Sequence, residues 1–238
     1  MSTLPSSNAD VDALERRALA FCLASRLTAW PDDQTLTEAR MLAEGLEDGD
    51  AAERALISLA ANAERANLEP EYVTLFEVGK GRCPVHETEY GRMRGMSKGN
   101  ELADIRGFYT AFGMDRAETD AARQMADHLA VELEFYGTLL ARQAAVVALE
   151  DAAGDEIVRD ARKKVLVDHL GRLAGAVAAQ PSVNASACYG PVLRATSALV
   201  ADECARLEAV PAPLDFLPEA GEGEAMCCGA SAFTPAKG

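Results

Sequence analysis

The sequence has only three histidines, the side chains that most readily carry acid-base and metal chemistry near neutral pH. Two of them directly follow an aspartate, in the pairs Asp127-His128 and Asp168-His169, and the third is His86. An acid beside an imidazole suits general-base catalysis, metal binding or the capture of a cationic partner. Each of these three interpretations requires a different spacing of further residues.

The spacing around the histidines does not favour a metal site. Di-iron helical bundles carry Glu-x-x-His on two helices, but cysteine, methionine or leucine stands three places before each histidine here. There is no H-E-x-x-H and no C-x-x-C pair. We therefore expect no metal site. A helical metal-binding protein or enzyme using His86, His128 and His169 remains an alternative.

Signatures of nucleophilic catalysis are also missing. The sequence has no G-x-S-x-G, and none of its six cysteines lies in a recognisable catalytic signature. Cys227 and Cys228 are adjacent in a glycine-rich segment, where they could hold a soft metal or act as a redox switch. No secretory signal precedes the thiols, so reduced thiols are expected. The sequence therefore gives no support to a hydrolase of this kind.

The pair Asp127-His128 has a simple structural interpretation as well. On a helix, His128 and Glu132 lie one turn apart on the same face. Asp127 and His128 could then be helix-start residues, and an exposed pair with Glu132 would contribute well under ~1 kcal/mol. Local sequence alone favours this interpretation, so a binding role needs further support.

The composition predicts the elements that must position these residues. The 238 residues are 49% hydrophobic but only 5% aromatic, and alanine and leucine, the strong helix formers, dominate. We predict a single globular all-α domain of about eight or nine helices. Residues 1–10 are expected to be a flexible N-terminus, residues 11–210 the helical domain, and residues 211–238 a poorly ordered tail containing Pro, Gly and Cys.

Two predicted helices and one loop matter for the candidate site. A long helix is expected over residues 118–151, which contain the Asp127-His128 pair, and another over 156–180, closed by Pro181. Between residues 78 and 100 five glycines and Pro84 predict a loop-rich segment. Its Gly-Lys-Gly lacks the spacing of a phosphate-binding loop.

The charge balance limits the possible partners. The formal net charge is −15, and such a surface repels nucleic acid, which binds basic patches. It attracts a basic partner, although acidity also simply keeps proteins soluble. No apolar run reaches membrane-spanning length, so no membrane insertion is expected. Arg16-Arg17 lie in an amphipathic pattern that predicts a first helix rather than an export signal.

Three segments in order resemble a known family. They are "CPVHETEYG" at 83–91, "LADIRGFYTAFGM" at 102–114 and "DHLAVELEFYGTLL" at 127–140. They resemble the TorD/DmsD/NarJ family of molybdoenzyme chaperones, most of all the branch that serves enzymes such as ethylbenzene dehydrogenase, dimethylsulfide dehydrogenase, and selenate or chlorate reductase. The resemblance covers roughly residues 11 to 208. The chain departs from the family where Ala126 and Leu173 replace a usual Pro and Trp.

The resemblance implies a cytoplasmic escort with no catalytic residue and no cofactor of its own. Its partner would be the catalytic subunit of a molybdopterin oxidoreductase, including that subunit's basic and apolar twin-arginine leader. Export would be held back until the client's cofactor is inserted. The alternative within the family is a nitrate-reductase-type assembly chaperone without leader recognition. A monomer and a homodimer are both compatible with the sequence.

The resemblance also suggests where the leader would bind. Asp127 and Glu132 can offer carboxylates to guanidinium groups, and His128 can orient a neighbour or contact the peptide. The loop after Cys83 adds the carboxylates of Glu87 and Glu89 and the amphipathic ring of Tyr90. We therefore expect these residues to form a negatively charged rim open to solvent, with the peptide-binding set Pro84, Glu87, Tyr90, Asp127, His128 and Glu132.

Overall fold

A computed structural model of the chain describes residues 8–46, 49–77, 83–90, 98–114 and 125–214. Within these ranges the backbone is helical apart from turns and one isolated β-bridge, so the predicted all-α fold is confirmed. The sequence predicted a flexible N-terminus over residues 1–10 and a poorly ordered tail over residues 211–238. Residues 8–10 instead belong to the first helix. Residues 1–7, the Gly-Lys-Gly at 79–81 and residues 215–238, with Cys227 and Cys228, lie outside the described residues.

The described residues form ten α-helices, one π-helix and one 3-10 turn. The α-helices are α1 Asn8–Thr28, α2 Asp33–Glu44, α3 Ala51–Ala61, α4 Arg65–Tyr72, α5 Lys98–Ala111, α6 Leu129–Ala148, α7 Ala152–Asp168, α8 Leu170–Ala178, α9 Pro181–Ala185 and α10 Tyr189–Arg206. The π-helix Val73–Glu77 continues α4, and the 3-10 turn spans Glu87–Glu89.

Several helix ends follow from local sequence. Asp50 caps α3 by accepting the backbone N–H groups of Ala52 and Glu53, and the Glu53 side chain accepts the N–H of Asp50 in return. This reciprocal arrangement satisfies donors that would otherwise lack partners. Gly113 adopts a φ of +63° just beyond α5, the left-handed conformation that ends many helices.

Helices α1 and α6 form the centre of the core. Gly137 on α6 lets the two helices approach closely, since a Cβ there would lie 2.9 Å from Cys22 Sγ and 3.1 Å from the Ala18 carbonyl oxygen. The rings of Phe21 and Tyr136 pack beside this contact with centroids 4.6 Å apart. Each fully buried apolar side chain of this kind stabilises the fold by roughly 1.5–3 kcal/mol.

A buried polar network ties α6, α7 and α10 to α1. Arg162, which is 2% exposed, pairs with Glu203 and Gln143 and donates to the Tyr136 hydroxyl at 3.2 and 3.3 Å. Tyr136 donates to Glu203 at 2.9 Å, and Arg17 pairs with Glu203 at 2.6 Å. We call these five residues the arginine network; in it both oxygens of the buried carboxylate are paired.

Two predicted helices are shorter than expected. The predicted helix over 156–180 is divided into α7 and α8 at His169, whose φ of −132° and ψ of −95° are not helical. Gly171 then lies against the Leu166 carbonyl, where a Cβ has no room. The long helix expected from residue 118 begins only at Leu129 in the described part, because the His128 side chain caps it there. Within the described residues no helix is both long and apolar enough to cross a bilayer.

Candidate functional site

The loop before the 3-10 turn and the start of α6 are joined by backbone hydrogen bonds. The Leu129 N–H donates to the Val85 carbonyl at 2.8 Å, and the Glu87 N–H donates to the Asp127 carbonyl at 2.9 Å. These two bonds form an isolated antiparallel bridge between residues 86 and 128. The two segments that were expected to act together therefore lie side by side.

Asp127 holds this junction together from inside. Its side chain is fully buried and accepts hydrogen bonds from the Thr88 hydroxyl at 2.6 Å and the Thr88 N–H at 3.3 Å, with His86 Nδ1 at 3.2 Å. Burial opposes its ionisation, but the hydrogen bonds of His86 and Thr88 outweigh burial and lower the pKa of Asp127 to about 2. Asp127 is thus a fixed negative charge that orients His86, whose side chain stays 26% exposed.

His128 serves both the helix and the surface. Its Nδ1 accepts the Ala130 N–H at 3.0 Å, which caps α6. A neutral ring in this geometry carries its proton on Nε2, which lies 3.4 Å from the Tyr72 hydroxyl oxygen. The rings of His128 and His86 meet edge to face with centroids 5.0 Å apart. The two histidines therefore form one wall.

That wall borders an open groove of about 310 Å³. Its described lining is mostly aromatic: Trp30 packs edge-on against Tyr72 at 5.2 Å, and Tyr72 packs edge-on against Phe76 at 4.8 Å. We call this the aromatic groove, lined by Trp30, Tyr72, Phe76, Glu77, Val85, His86 and His128.

The π-helix supplies part of the groove's surface. It carries Phe76 and the exposed Glu77 to the lining, directly after α4 has placed Tyr72. Single π-helical turns are energetically unusual and occur frequently at functional sites. The position of this turn beside two histidines therefore marks the groove as the candidate binding site.

A second group of charged side chains lies beneath the bridge. Glu87 is buried and lies 2.9 Å from His169 Nδ1 through Oε2 and 3.6 Å from Arg172 Nη1 through Oε1. Glu132 is 2% exposed, and neither of its carboxyl oxygens has a hydrogen bond within the described residues. We call Glu87, Asp127, Glu132, His169 and Arg172 the Glu132 cluster.

The Glu132 carboxyl is poorly placed to ionise. Burial raises its pKa well above the ordinary value, and the negative charges of Glu87 and Asp127 raise it further, whereas Arg172 opposes them. Burial without a hydrogen-bond partner disfavours the charged form most strongly. This side chain is therefore a neutral acid under conditions where an exposed glutamate is charged.

The six residues predicted for peptide binding are all buried. Tyr90 donates to the Pro84 carbonyl at 2.6 Å and so shapes the loop, while Asp127 and Glu132 lie inside the protein. They do not form the exposed negative rim that the sequence suggested, because their carboxyl groups point into the fold. Of the six, His128 alone is among the described residues that line the groove.

Sequence reasoning missed most of the groove. The predicted site does not include Trp30, Tyr72, Phe76 or Glu77, and His86 enters the sequence predictions only as a possible metal ligand. The signal available was a solitary tryptophan, the only one in the chain, together with an aromatic run after Pro70. Neither feature distinguishes a groove lining from a core without the fold.

The structure also bears on the metal alternative. His86 and His128 are neighbours, but His169 lies in the other cluster, against Glu87. Among residues that the structure describes, no three His, Cys, Asp or Glu side chains are arranged to hold a metal ion. Asp168 instead pairs with Lys164 at 2.7 Å on the helix surface.

Comparisons with known proteins place the chain in a family. The family model for the nitrate reductase delta subunit matches residues 41–179. The chain is 28% identical over 188 residues to the selenate reductase assembly chaperone protein of Thauera selenatis, covering 78% of this chain and 88% of that protein. It is 32% identical over 106 residues to the chlorate reductase assembly chaperone protein of Ideonella dechloratans, covering 44% and 53% respectively.

A crystal structure of a candidate redox enzyme maturation protein from Archaeoglobus fulgidus aligns with 63% of this chain and 93% of its own, at 22% identity and a TM-score of 0.40. The resemblance to molybdoenzyme chaperones seen in the sequence is confirmed by the family model and the two relatives. Because the match spans more than half of its residues, this chain belongs to the nitrate reductase delta subunit family.

Proposed function

We propose that the chain is a cytoplasmic assembly chaperone for the catalytic subunit of a molybdopterin oxidoreductase. Membership of the delta subunit family and the two reductase assembly chaperones among its relatives support this role. The chaperone holds its client until the client's own cofactor is inserted, and it needs no catalytic residue to do so.

The aromatic groove receives the twin-arginine leader of that client. Such a leader combines guanidinium groups with an apolar run, and aromatic faces bind both kinds of group. The observation that carries the proposal is an open groove in which Trp30, Tyr72 and Phe76 stand beside two histidines. The exposed carboxylate of Glu77 supplies a direct partner for one arginine.

The buried acids support the groove from behind. Asp127 keeps a negative charge directly beneath His86, so the ring at the groove wall is held in place and favours a cationic neighbour. Pro84 and Tyr90 fix the shape of the loop that carries His86. Asp127, Pro84 and Tyr90 therefore position the wall rather than touch the leader.

The charge of the whole chain assists the encounter. A net charge of −15 attracts a basic leader over several ångströms and raises the association rate at low ionic strength. Salt screens this attraction, with a Debye length of about 8 Å at physiological ionic strength. Leader association is therefore expected to slow as salt is added.

The groove contains its own reporter for testing the proposal. Trp30 is the only tryptophan of the chain, so its fluorescence reports on groove occupancy. A synthetic peptide with two arginines followed by an apolar run should change the Trp30 emission and release heat in calorimetry. The same peptide with glutamine in place of both arginines is the control and should bind at least about tenfold more weakly. Equal binding of both peptides contradicts leader recognition by charge.

A second candidate function follows from the family description. A chaperone of the nitrate-reductase type recognises its catalytic subunit without an export leader, and the matching family model is named for nitrate reductase. Binding experiments distinguish a leader-binding chaperone from a chaperone that recognises only the catalytic subunit. Binding of a whole catalytic subunit, with neither heat nor a fluorescence change from the leader peptide, favours the second candidate.

A further inference from the structure

Glu132 has the most unusual environment of any acid that the structure describes. Its side chain lines a small cavity of about 10 Å³, and its two carboxyl oxygens have no hydrogen bond within the described residues. His169 lines the same cavity, and its Nε2 also makes no hydrogen bond there, although Asp104 Oδ2 lies 3.4 Å away. The other described residues that line it are Ile105, Phe108, Tyr109, Phe135 and Val165.

The neighbouring charges are already committed to other partners. Asp127 is held by His86 and Thr88, and Glu87 by His169 and Arg172. Asp104 on α5 faces His169 from the other side. These acids come from three different elements. Within the described residues no cation donates a hydrogen bond to Glu132, although the charge of Arg172 acts on it. A buried carboxyl without such a bond is less stable than a paired one.

We propose that Glu132 is an anchor for the guanidinium group of an arginine in the bound client chain, and that helix α5 covers this anchor when no client is present. The inference rests on the proposed chaperone function and assigns its ligand chemistry to one buried residue. A guanidinium presents parallel N–H donors that match both oxygens of one carboxylate. It would satisfy the two acceptors that the fold leaves without hydrogen bonds.

Helix α5 is the wall that can move. It contributes Ile105, Phe108 and Tyr109 to the cavity, and among its described side chains only Ile105 and Tyr109 are buried. Tyr109 donates to the Ala126 carbonyl at 2.7 Å. A cavity of this size holds about one water molecule, so a guanidinium enters only if α5 moves outward. Because α5 has few buried contacts, the free energy of such local opening is low.

Capture of the cation is coupled to loss of a proton. In the free chain, burial together with Glu87 and Asp127 raises the pKa of Glu132, so the carboxyl carries a proton. On binding, its O–H bond breaks, the proton passes to the buffer, and two N–H···O bonds form to the resulting carboxylate. Client affinity should therefore rise with pH while free Glu132 is protonated, by up to about tenfold per pH unit.

Calorimetry with the twin-arginine peptide tests this coupling at mildly acidic pH. Binding heats measured in phosphate and in imidazole buffers give the number of protons released. Wild type should release more protons than Glu132→Gln, and Glu132→Gln should bind at least about tenfold more weakly. Glu156→Gln changes an exposed acid on α7 and should match wild type in both quantities.

A double-mutant cycle identifies the group that Glu132 meets. Replacing one peptide arginine by glutamine should weaken binding to wild type more than binding to Glu132→Gln. Glu132→Gln keeps the shape of the side chain, and circular dichroism verifies that it folds. If this variant binds the peptide as wild type does, with the same proton release, the inference is wrong and the proposed function stands. If the peptide binds neither protein, both are wrong.

Discussion

The arginine network and the Glu132 cluster both bury carboxyl groups between helices, but the central carboxyl group is fully paired in the first and lacks a hydrogen bond in the second. In the network, Glu203 is 1% exposed and is paired with Arg17, Arg162 and Tyr136. In the cluster, Glu132 is equally inaccessible and has no hydrogen-bond partner within the described residues. The two regions lie in the same fold and share the long helix α6.

The difference separates a structural use of buried charge from a functional one. Removing charge from water costs several kcal/mol, and only good pairing offsets that cost. In the arginine network the cost of burying Glu203 is offset by partners within the chain, so no ligand is needed. In the cluster the burial of Glu132 is not offset by any hydrogen bond within the described residues. This cluster lies beneath the loop that carries His86 to the aromatic groove. We expect changes in the network to affect folding and changes around the cluster to affect binding.

The largest expected effect belongs to the network. Arg162→Met should lower the free energy of unfolding by about 3 kcal/mol, because Glu203, Gln143 and Tyr136 then lose their shared partner. Urea denaturation followed by circular dichroism measures the change. Leader affinity of the folded variant should be unaltered, and a selective loss of affinity without loss of stability would reverse the comparison.

Asp127→Ala should affect both folding and binding. It removes the partner of His86 and Thr88, so we expect losses of about 1–3 kcal/mol in unfolding free energy and in leader binding. In wild type the pKa of Asp127 falls to about 2 on folding. Its stabilisation is therefore present above the unfolded-state pKa of about 4 and is lost as pH falls toward 2. Unfolding free energies measured through this pH range should lack that component in the variant.

Trp30→Ala addresses the groove without touching either charged region. Loss of its aromatic face should weaken leader binding by about 1–2 kcal/mol. The effect on unfolding should be smaller, since Trp30 is only half-buried. Calorimetry with the twin-arginine peptide measures the binding change, with Leu149→Ala, at an exposed site on the end of α6, as the control. Unchanged affinity would remove the groove from the binding site.

The smallest expected effect has the opposite sign. Glu132→Gln should raise the free energy of unfolding by about 1 kcal/mol at neutral pH, because the fold no longer has to keep a buried acid protonated. The folded-state pKa of Glu132 is raised, so wild type loses stability as pH increases above the unfolded-state value of about 4. The gain should vanish below that pH. A loss of stability at neutral pH would instead indicate that Glu132 has a partner in the fold.

Local sequence was sufficient for most helices and several of their ends. The amphipathic pattern around Arg16 and Arg17 is sufficient to predict α1. Asp50 and Gly113 are end signals that can be read locally, because their chemistry acts over one turn. The division at His169 was not predictable in this way. It depends on a contact with Glu87, which lies 82 residues away in the chain, and on the crowding of Gly171 against the preceding turn.

The sequence predicted that the two segments lie together but not that they are buried. The resemblance correctly selected two segments that lie together, yet whether Asp127 faces solvent or Thr88 depends on the tertiary bridge. Nothing in the local pattern distinguishes the paired Glu203 from the unpaired Glu132. Likewise, the π-helix over Val73–Glu77 has no sequence signal of its own, because its extra residue is accommodated by packing.

The imidazole ring of His128 lines the groove wall and also caps the first turn of α6. An occupant that rotates this ring therefore deprives the Ala130 amide of its acceptor. Arrival of the client would then be recorded as faster deuterium uptake at Ala130, deep in the protein and away from any contact with the peptide. Occupancy of the surface groove would thus open one turn of a central helix in the interior.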